Sequence, residues 1–240
     1  MVYDFRNKTN KNKDDNETQL YMNGIKLNEV KKIRFLGVII NNQLTWTDHK
    51  THIKSKICKA LGIIYSSREI LRHSHLINIY NTFIQPYFNY CITLWGSSLT
   101  SETDPLIKLQ NKVLRVLFSC KRSEDAWEMD EKQKILKVRH LYFQEIAKLC
   151  YKHHLDLNPP IINSIMPEKY NTNTAMLLTR SKTNHNYKQT KINASKTLTK
   201  NCIKIWNNLP TELKNLAYDN EIIPIKMFTS KARTFIVKNL

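Results

Sequence analysis

Asp14-Asp15 is the one place in the chain where two aspartates stand side by side. Carboxylates gathered around Mg²⁺ are what two-metal phosphoryl transfer requires. This pair sits in the polar run from Asn12 to Glu17, with no apolar neighbour to hold it on a strand, and reads as a solvated loop. Asp48, Glu69 and Asp104 read as helix caps and surface charges. Cys150, His153 and His154 form the best metal candidate, because positions 150 and 154 share a helix face and would make half of a tetrahedral zinc site. The other half would need Cys202 or His185, and no spacing recommends either. The plainer alternative is a buried cysteine beside two exposed histidines, so no metal site is expected. The chain has neither a Gly-x-Ser-x-Gly elbow nor a His-Glu-x-x-His pair. With only four glycines in 240 residues it also has no glycine-rich phosphate loop. No catalytic residue is expected.

What remains is positive charge. Lys and Arg number 38 against 20 Asp and Glu, a net charge of +18, which favours a polyanionic partner. The charge is segregated. Residues 1–30 are balanced, 31–100 carry a net +7, 101–160 a net +2 and 161–240 a net +9. No acidic residue occurs between Asp48 and Glu69, or between Glu168 and Glu212. On a helix starting at His49, the side chains of His52, Lys56 and Lys59 fall on one face, opposite an apolar stripe of Ile53, Ile57, Ala60, Leu61 and Ile64. Such a cationic face can follow a phosphate backbone without reading sequence, or it can simply be solvated. Lys50 and Lys54 sit against the stripe and would snorkel. The stretch 169–211 is equally basic, with Lys182, Lys188 and Lys191 among Tyr170, Tyr187 and Trp206. Aromatics among cations can stack on unpaired bases; the same composition also makes a low-complexity linker.

The elements that would position these groups are short strands followed by helices. Asn23-Gly24 between alternating apolar residues predicts a hairpin. Ile33 to Ile40 reads as a buried strand, Asn41-Asn42 as a second turn, and Gln43 to Trp46 as a short return strand. Asp48 is the expected N-cap of a helix running to about Ser67. Ser74 is the expected cap of a second helix, ending near Pro86. Asp104-Pro105 predicts an N-cap and first helical position. Further helices are expected from about Arg139 to His154 and from Lys226 to Val237. Residues 166–196, rich in Thr, Asn and Lys, read as a long loop or linker. The fold expected is therefore mainly α, with a small antiparallel β-hairpin unit at the N-terminal end, then an α-helical bundle and a basic, partly irregular C-terminal region.

Five scattered cysteines suit a reducing compartment better than a disulfide framework. The N-terminus has no apolar run for a signal peptide, and the longest apolar runs are too short to span a membrane. An intracellular protein, nuclear or cytoplasmic and not secreted, is expected, with no membrane partner.

Several of these segments together resemble the reverse transcriptases of non-LTR retrotransposons, particularly jockey-like elements. Phe35-Leu36-Gly37 matches the Phe-Leu-Gly that follows the catalytic palm in that family. Leu44, Trp46 and His49 match the Leu-x-Trp-x-x-His that opens its thumb. The resemblance continues through Asn78-Ile79-Tyr80, Gln85 to Tyr90, Leu94-Trp95-Gly96, Gln110-Asn111-Lys112, His185-Asn186-Tyr187 and Trp206-Asn207-Asn208-Leu209-Pro210 to a closing helix with Phe228. It covers about residues 20–240, and the order and spacing of the motifs are more specific than any one of them.

The resemblance implies that Phe35, Leu36 and Gly37 lie in a primer grip and that the helix from His49 is a thumb helix along a template–primer duplex. The family's Tyr/Phe-x-Asp-Asp lies upstream of Phe-Leu-Gly and is not among these residues. The expectation is therefore a polymerase fragment, inactive alone, whose Mg²⁺ would belong to the palm. The organisation expected is a flexible segment over 1–17, a hairpin unit over 18–47, a helical thumb-like domain over 48–157, a basic linker over 158–200 and a helical segment over 201–240. Nucleic-acid contacts are assigned to His52, Lys56, Lys59, Lys182, Lys188 and Lys191. The implied partners are an RNA–DNA or DNA duplex, RNA, and the upstream polymerase region. The alternative is a helical protein-interaction module in which Tyr87, Tyr90 and Trp95 form the surface.

Overall fold

The computed structural model describes residues 21–99, 104–120, 127, 135–169, 186–188, 197–217 and 224–239. Asp14-Asp15, Lys182, His185 and Lys191 lie outside them. The chain is mainly helical, with two small antiparallel hairpins ahead of the helices, as expected. Two compact units divide it between Ile53 and Lys54.

In the first unit, β1 (Tyr21–Met22) pairs with β2 (Ile25–Lys26) around Asn23-Gly24. Both turn residues have positive φ, 52° and 78°, as this tight turn demands. Two expectations are corrected next. Ile33 to Ile40 is not one buried strand. It folds back on itself as β3 (Lys32–Phe35) and β4 (Val38–Asn41), with Phe35 opposite Val38. The fold-back lies at Leu36-Gly37, with φ of 45° and 84°. β3 is exposed along its length, while β4 buries Val38 and Asn41. An unbroken apolar run hides a turn whose first residue is a leucine in the left-handed region, a conformation that bulky side chains rarely adopt.

Gln43 to Trp46 is likewise not a strand. The chain turns at Asn41, whose carbonyl accepts from the Leu44 N–H at 3.0 Å, and leads directly into α1 (Thr47–Ser67). Asn41 drives this. Its Oδ1 accepts from the Thr45 N–H at 2.8 Å, and its Nδ2 donates to Thr45 Oγ1 at 2.7 Å and to Asp48 Oδ2 at 2.9 Å. Asp48 therefore stands inside the first helical turn rather than at the N-cap. There its charge suits the helix dipole while its carboxylate fixes Asn41.

In the second unit the stripe of α1 is buried as expected, at Ile57, Ala60, Leu61 and Ile64. α2 (His73–Phe83) follows, with Arg72 rather than Ser74 at its N-cap position and no side-chain cap. Then come α3 (Gln85–Asn89), α4 (Ile92–Trp95) and a 3₁₀ turn at Gly96–Ser98. Asp104 caps α5 (Pro105–Leu117), accepting from the Leu106 N–H at 2.9 Å. α6 (Val138–His154) is the central element and packs against α3, α4, α5, α8 (Thr197–Asn207) and α10 (Ile225–Asn239). α7 (Pro160–Ile165) and α9 (Thr211–Asn215) are short connectors, α7 continuing where Asn158-Pro159-Pro160 interrupts the helical pattern.

Two segments singled out for their resemblance turn out to be packing devices. Trp95 is fully buried and its indole N–H donates to the Tyr90 carbonyl at 2.9 Å. A Cβ added at Gly96 would run into the ring of Tyr142, so only glycine lets α6 approach there. Gln110, buried on α5, joins three elements. Its Nε2 donates to Tyr80 Oη at 3.1 Å and to the Leu136 carbonyl at 2.9 Å, and its Oε1 accepts from the Val138 N–H at 2.8 Å. Val138 opens α6, so this last bond satisfies an amide that has no partner within its own helix. Gln110→Ala strips all three bonds from buried groups. It is expected to lower the unfolding free energy by about 3 kcal/mol, read as a shift in the urea midpoint at unchanged slope.

Candidate nucleic-acid interface

The hairpin of β3 and β4 presents its turn to solvent. Phe35 is 61% exposed and Leu36 75%. A leucine at φ 45° with its side chain in water gains little from burial and stores backbone strain, a combination often met where a loop touches something else. Gly37, at φ 84°, completes the turn. The base of the hairpin is tied to α1 within the same unit. His49 is buried, and its Nδ1 accepts from the Ile39 N–H at 3.4 Å. Burial, and then the neighbouring His52, lower its pKa, which keeps the ring neutral and able to accept. Trp46 packs edge-on against it at 6.4 Å. The Leu-x-Trp-x-x-His match is thus a joint between strand and helix.

On α1 the cationic face is present. Lys56 and Lys59 are exposed, and neither forms an ion pair among the described residues. His52, one turn before Lys56, is half-buried. Lys54, expected to snorkel along the stripe, is exposed, whereas Lys50 is half-buried. From His52 to Lys59 the face runs about 10 Å along the helix axis.

The basic C-terminal stretch behaves differently. Lys188 is half-buried and donates to Glu168 Oε2 at 2.9 Å. Lys182 and Lys191 lie outside the described residues. Tyr187 and Trp206, read as candidates for stacking on bases, are both fully buried. Tyr187 is docked by its backbone. Its N–H donates to Asn207 Oδ1 at 2.9 Å, and its carbonyl accepts from Asn207 Nδ2 at 3.1 Å. The buried Lys214 closes this joint by donating to Asn186 Oδ1 and to the Asn207 carbonyl, each at 2.9 Å. Burial brings its pKa down to about 8.

The metal candidate resolves into the same joint. His153 and His154 are buried, not exposed. His153 Nδ1 and Tyr187 Oη share a hydrogen bond of 2.9 Å, while the His154 ring stacks on Trp206 at 4.6 Å. Cys150 is also buried, with its Sγ 3.9 Å from the Cys202 carbonyl. Burial raises its thiol pKa well above the usual value. Among the described residues no three His, Cys, Asp or Glu side chains converge as a metal site would require. Of the three aromatics assigned to a protein-binding surface, Tyr87 and Tyr90 are exposed and Trp95 is buried. No described helix is long and apolar enough to cross a membrane.

No protein-family profile and no solved structure matches the chain. Two curated proteins do. One is the "Probable RNA-directed DNA polymerase from transposon X-element" of Drosophila melanogaster, 25% identical over 139 residues. The other is the "RNA-directed DNA polymerase from mobile element jockey" of Drosophila funebris, 25% identical over 142 residues. The matches cover 56% and 58% of this chain, and in each case they span 15% of the relative's length. The resemblance to jockey-like non-LTR retrotransposon polymerases read from the motifs is borne out.

The His153–Tyr187 joint has a pH dependence of known sign. Burial, reinforced by the nearby Lys169 ammonium and opposed by Asp156, lowers the His153 pKa to about 4. An unfolded histidine titrates near 6.5. Above that pH both states are neutral and the joint contributes fully. Between pH 6.5 and 4 the unfolded chain takes up a proton that the native ring refuses, so stability falls as pH falls. His153→Gln is expected to flatten this loss by about 2 kcal/mol between pH 7 and pH 4.5, measured by urea unfolding at each pH.

Proposed function

We propose that these residues are a nucleic-acid grip belonging to a retrotransposon reverse transcriptase, the part that holds a template–primer duplex without reading its sequence. The α1 lysines are its contact surface, and the Phe35-Leu36-Gly37 turn is the element that meets the primer end. The observation that carries the proposal is the face of α1. Its apolar stripe is buried, Lys56 and Lys59 stand in solvent without an acidic partner among the described residues, and no acid interrupts the sequence between Asp48 and Glu69. A lysine face of this kind binds by releasing counterions from phosphates, and an A-like hybrid is held by shape and sugar–phosphate contacts rather than base edges. The similarity to two RNA-directed DNA polymerases supports the same reading. In this assignment the Mg²⁺ chemistry lies with the palm and not with these residues, and the partners are an RNA–DNA or DNA duplex and RNA. Lys182 and Lys191, outside the described residues, are assigned to the same role by the basic composition of their stretch. Lys188 contributes only when it leaves Glu168.

The test is a salt titration of binding to a labelled RNA–DNA hybrid, followed by fluorescence anisotropy. The slope of log K against log salt is expected to fall by about 0.9 for each of Lys56→Gln and Lys59→Gln. No binding to the hybrid at low salt would sink the proposal. Phe35→Ser and Leu36→Asn are expected to weaken binding to a duplex with a recessed 3′ end. Phe35→Ser should leave the unfolding midpoint nearly unchanged, because that side chain is already in water, whereas Leu36→Asn should hold or raise it, because asparagine suits the left-handed backbone better than leucine.

A further inference from the structure

A second surface in the helical unit is built differently from the α1 face. Two depressions, of about 440 and 250 Å³, share Arg139, Phe143 and Lys204 in their walls. The larger is bounded by residues of α6, α8 and α10, with Phe235 on its α10 side. The smaller adds Trp127 and Lys137. The six residues are three rings and three cations, and two of the cations lie over two of the rings. The Arg139 guanidinium carbon lies 5.7 Å from the centroid of Phe143, and Lys137 Nζ lies 5.5 Å from that of Trp127. Lys137, Arg139 and Lys204 are exposed, and Trp127, Phe143 and Phe235 are half-exposed. No Asp or Glu is among the described residues lining either depression.

We infer that this groove binds an unpaired, single-stranded stretch of nucleic acid, with bases seated on the rings and phosphates on the three cations. The physical reason lies in the mixture. A duplex offers its phosphates and keeps its bases stacked away, so a face of lysines is enough to hold it. An unpaired strand offers both a charge and a flat ring at every nucleotide, and half-exposed aromatics between cations match both. The larger depression, at about 440 Å³, is within the size range of small-molecule sites, large enough for a base with its sugar. An acidic peptide would satisfy the cations but has no use for the rings. The inference deepens the proposed function by giving the grip a place for the strand where it leaves the duplex.

The experiment compares two probes on the same protein. One is a labelled oligothymidylate of about ten nucleotides, the other the RNA–DNA hybrid. Lys204→Glu and Phe143→Ala are each expected to weaken oligothymidylate binding about tenfold and to leave hybrid binding within twofold of the parent. Lys56→Gln is expected to do the reverse. Lys204 is exposed, so its variant tests the groove even if Phe143→Ala perturbs packing. If the hybrid binds but neither groove variant alters oligothymidylate affinity, this inference is overturned while the duplex grip stands. If neither probe binds, both readings are overturned. If oligoglutamate displaces oligothymidylate at equal charge concentration and Phe143→Ala has no effect, the groove merely collects anions and the inference is again overturned.

Discussion

On a helix packed against five others, most polar side chains must find a partner, because leaving a buried polar group unpaired costs more than a hydrogen bond returns. α6 is in that position and carries many such groups. Tyr142 Oη accepts from Asn201 Nδ2 at 2.8 Å, Gln144 Nε2 donates to the Thr229 carbonyl at 3.2 Å, and Tyr151 Oη donates to the Leu216 carbonyl at 3.2 Å. His153 adds its bond to Tyr187. Every one of these partners lies in the last quarter of the chain. The polar side chains of one helix thus dictate where the C-terminal helices sit. Apolar contacts such as the Tyr151–Phe228 stack, at 4.1 Å, then fill the space between. Burial also raises the Tyr142 phenol pKa to about 12.

The same logic explains how a basic, linker-like stretch acquires an anchor. Tyr187 meets Asn207 through a paired N–H and C=O, the exchange one strand makes with another, here made with a single side-chain amide. One residue so held, with its ring against His153 and His154, ties its segment to α6 and α8 at a point. Lys214 serves the joint as a donor held by two neutral oxygens. Its lowered pKa is the electrostatic cost of that position.

Which features were legible in the sequence follows from how local their causes are. Asn23-Gly24, Asp104-Pro105 and the α1 stripe obey rules that need only neighbouring residues: φ above zero, a capping oxygen, a 3.6-residue period. The fold-back at Leu36-Gly37 was hidden because it breaks such a rule, placing a leucine where glycine or asparagine belongs. Asp48 looks like a cap in the sequence because its partner, Asn41, stands seven residues away, beyond the reach of capping rules. His153 and His154 were read as exposed because periodicity assigns a helix one buried face, and α6 has several neighbours. The groove had no linear signal at all, since Phe143 and Lys204 are brought together only by the packing of α6 against α8.

A division of labour emerges between the motifs and the charges. His49, Trp95, Gly96, Gln110, Tyr187, Trp206 and Asn207 all belong to segments that carry the resemblance, and all of them join one element to another. Such joints tolerate little change, because each depends on a particular donor, acceptor or absent Cβ. A phosphate contact depends on much less: a positive charge on a long flexible stem, within reach. Resemblance at the joints therefore speaks for a shared scaffold and says little about what the scaffold holds. The case for a nucleic-acid grip must rest on where the cations without an ion-pair partner among the described residues stand. Lys56 and Lys59 on α1 and Lys204 beside the groove all lie on surfaces that the joints hold out to solvent.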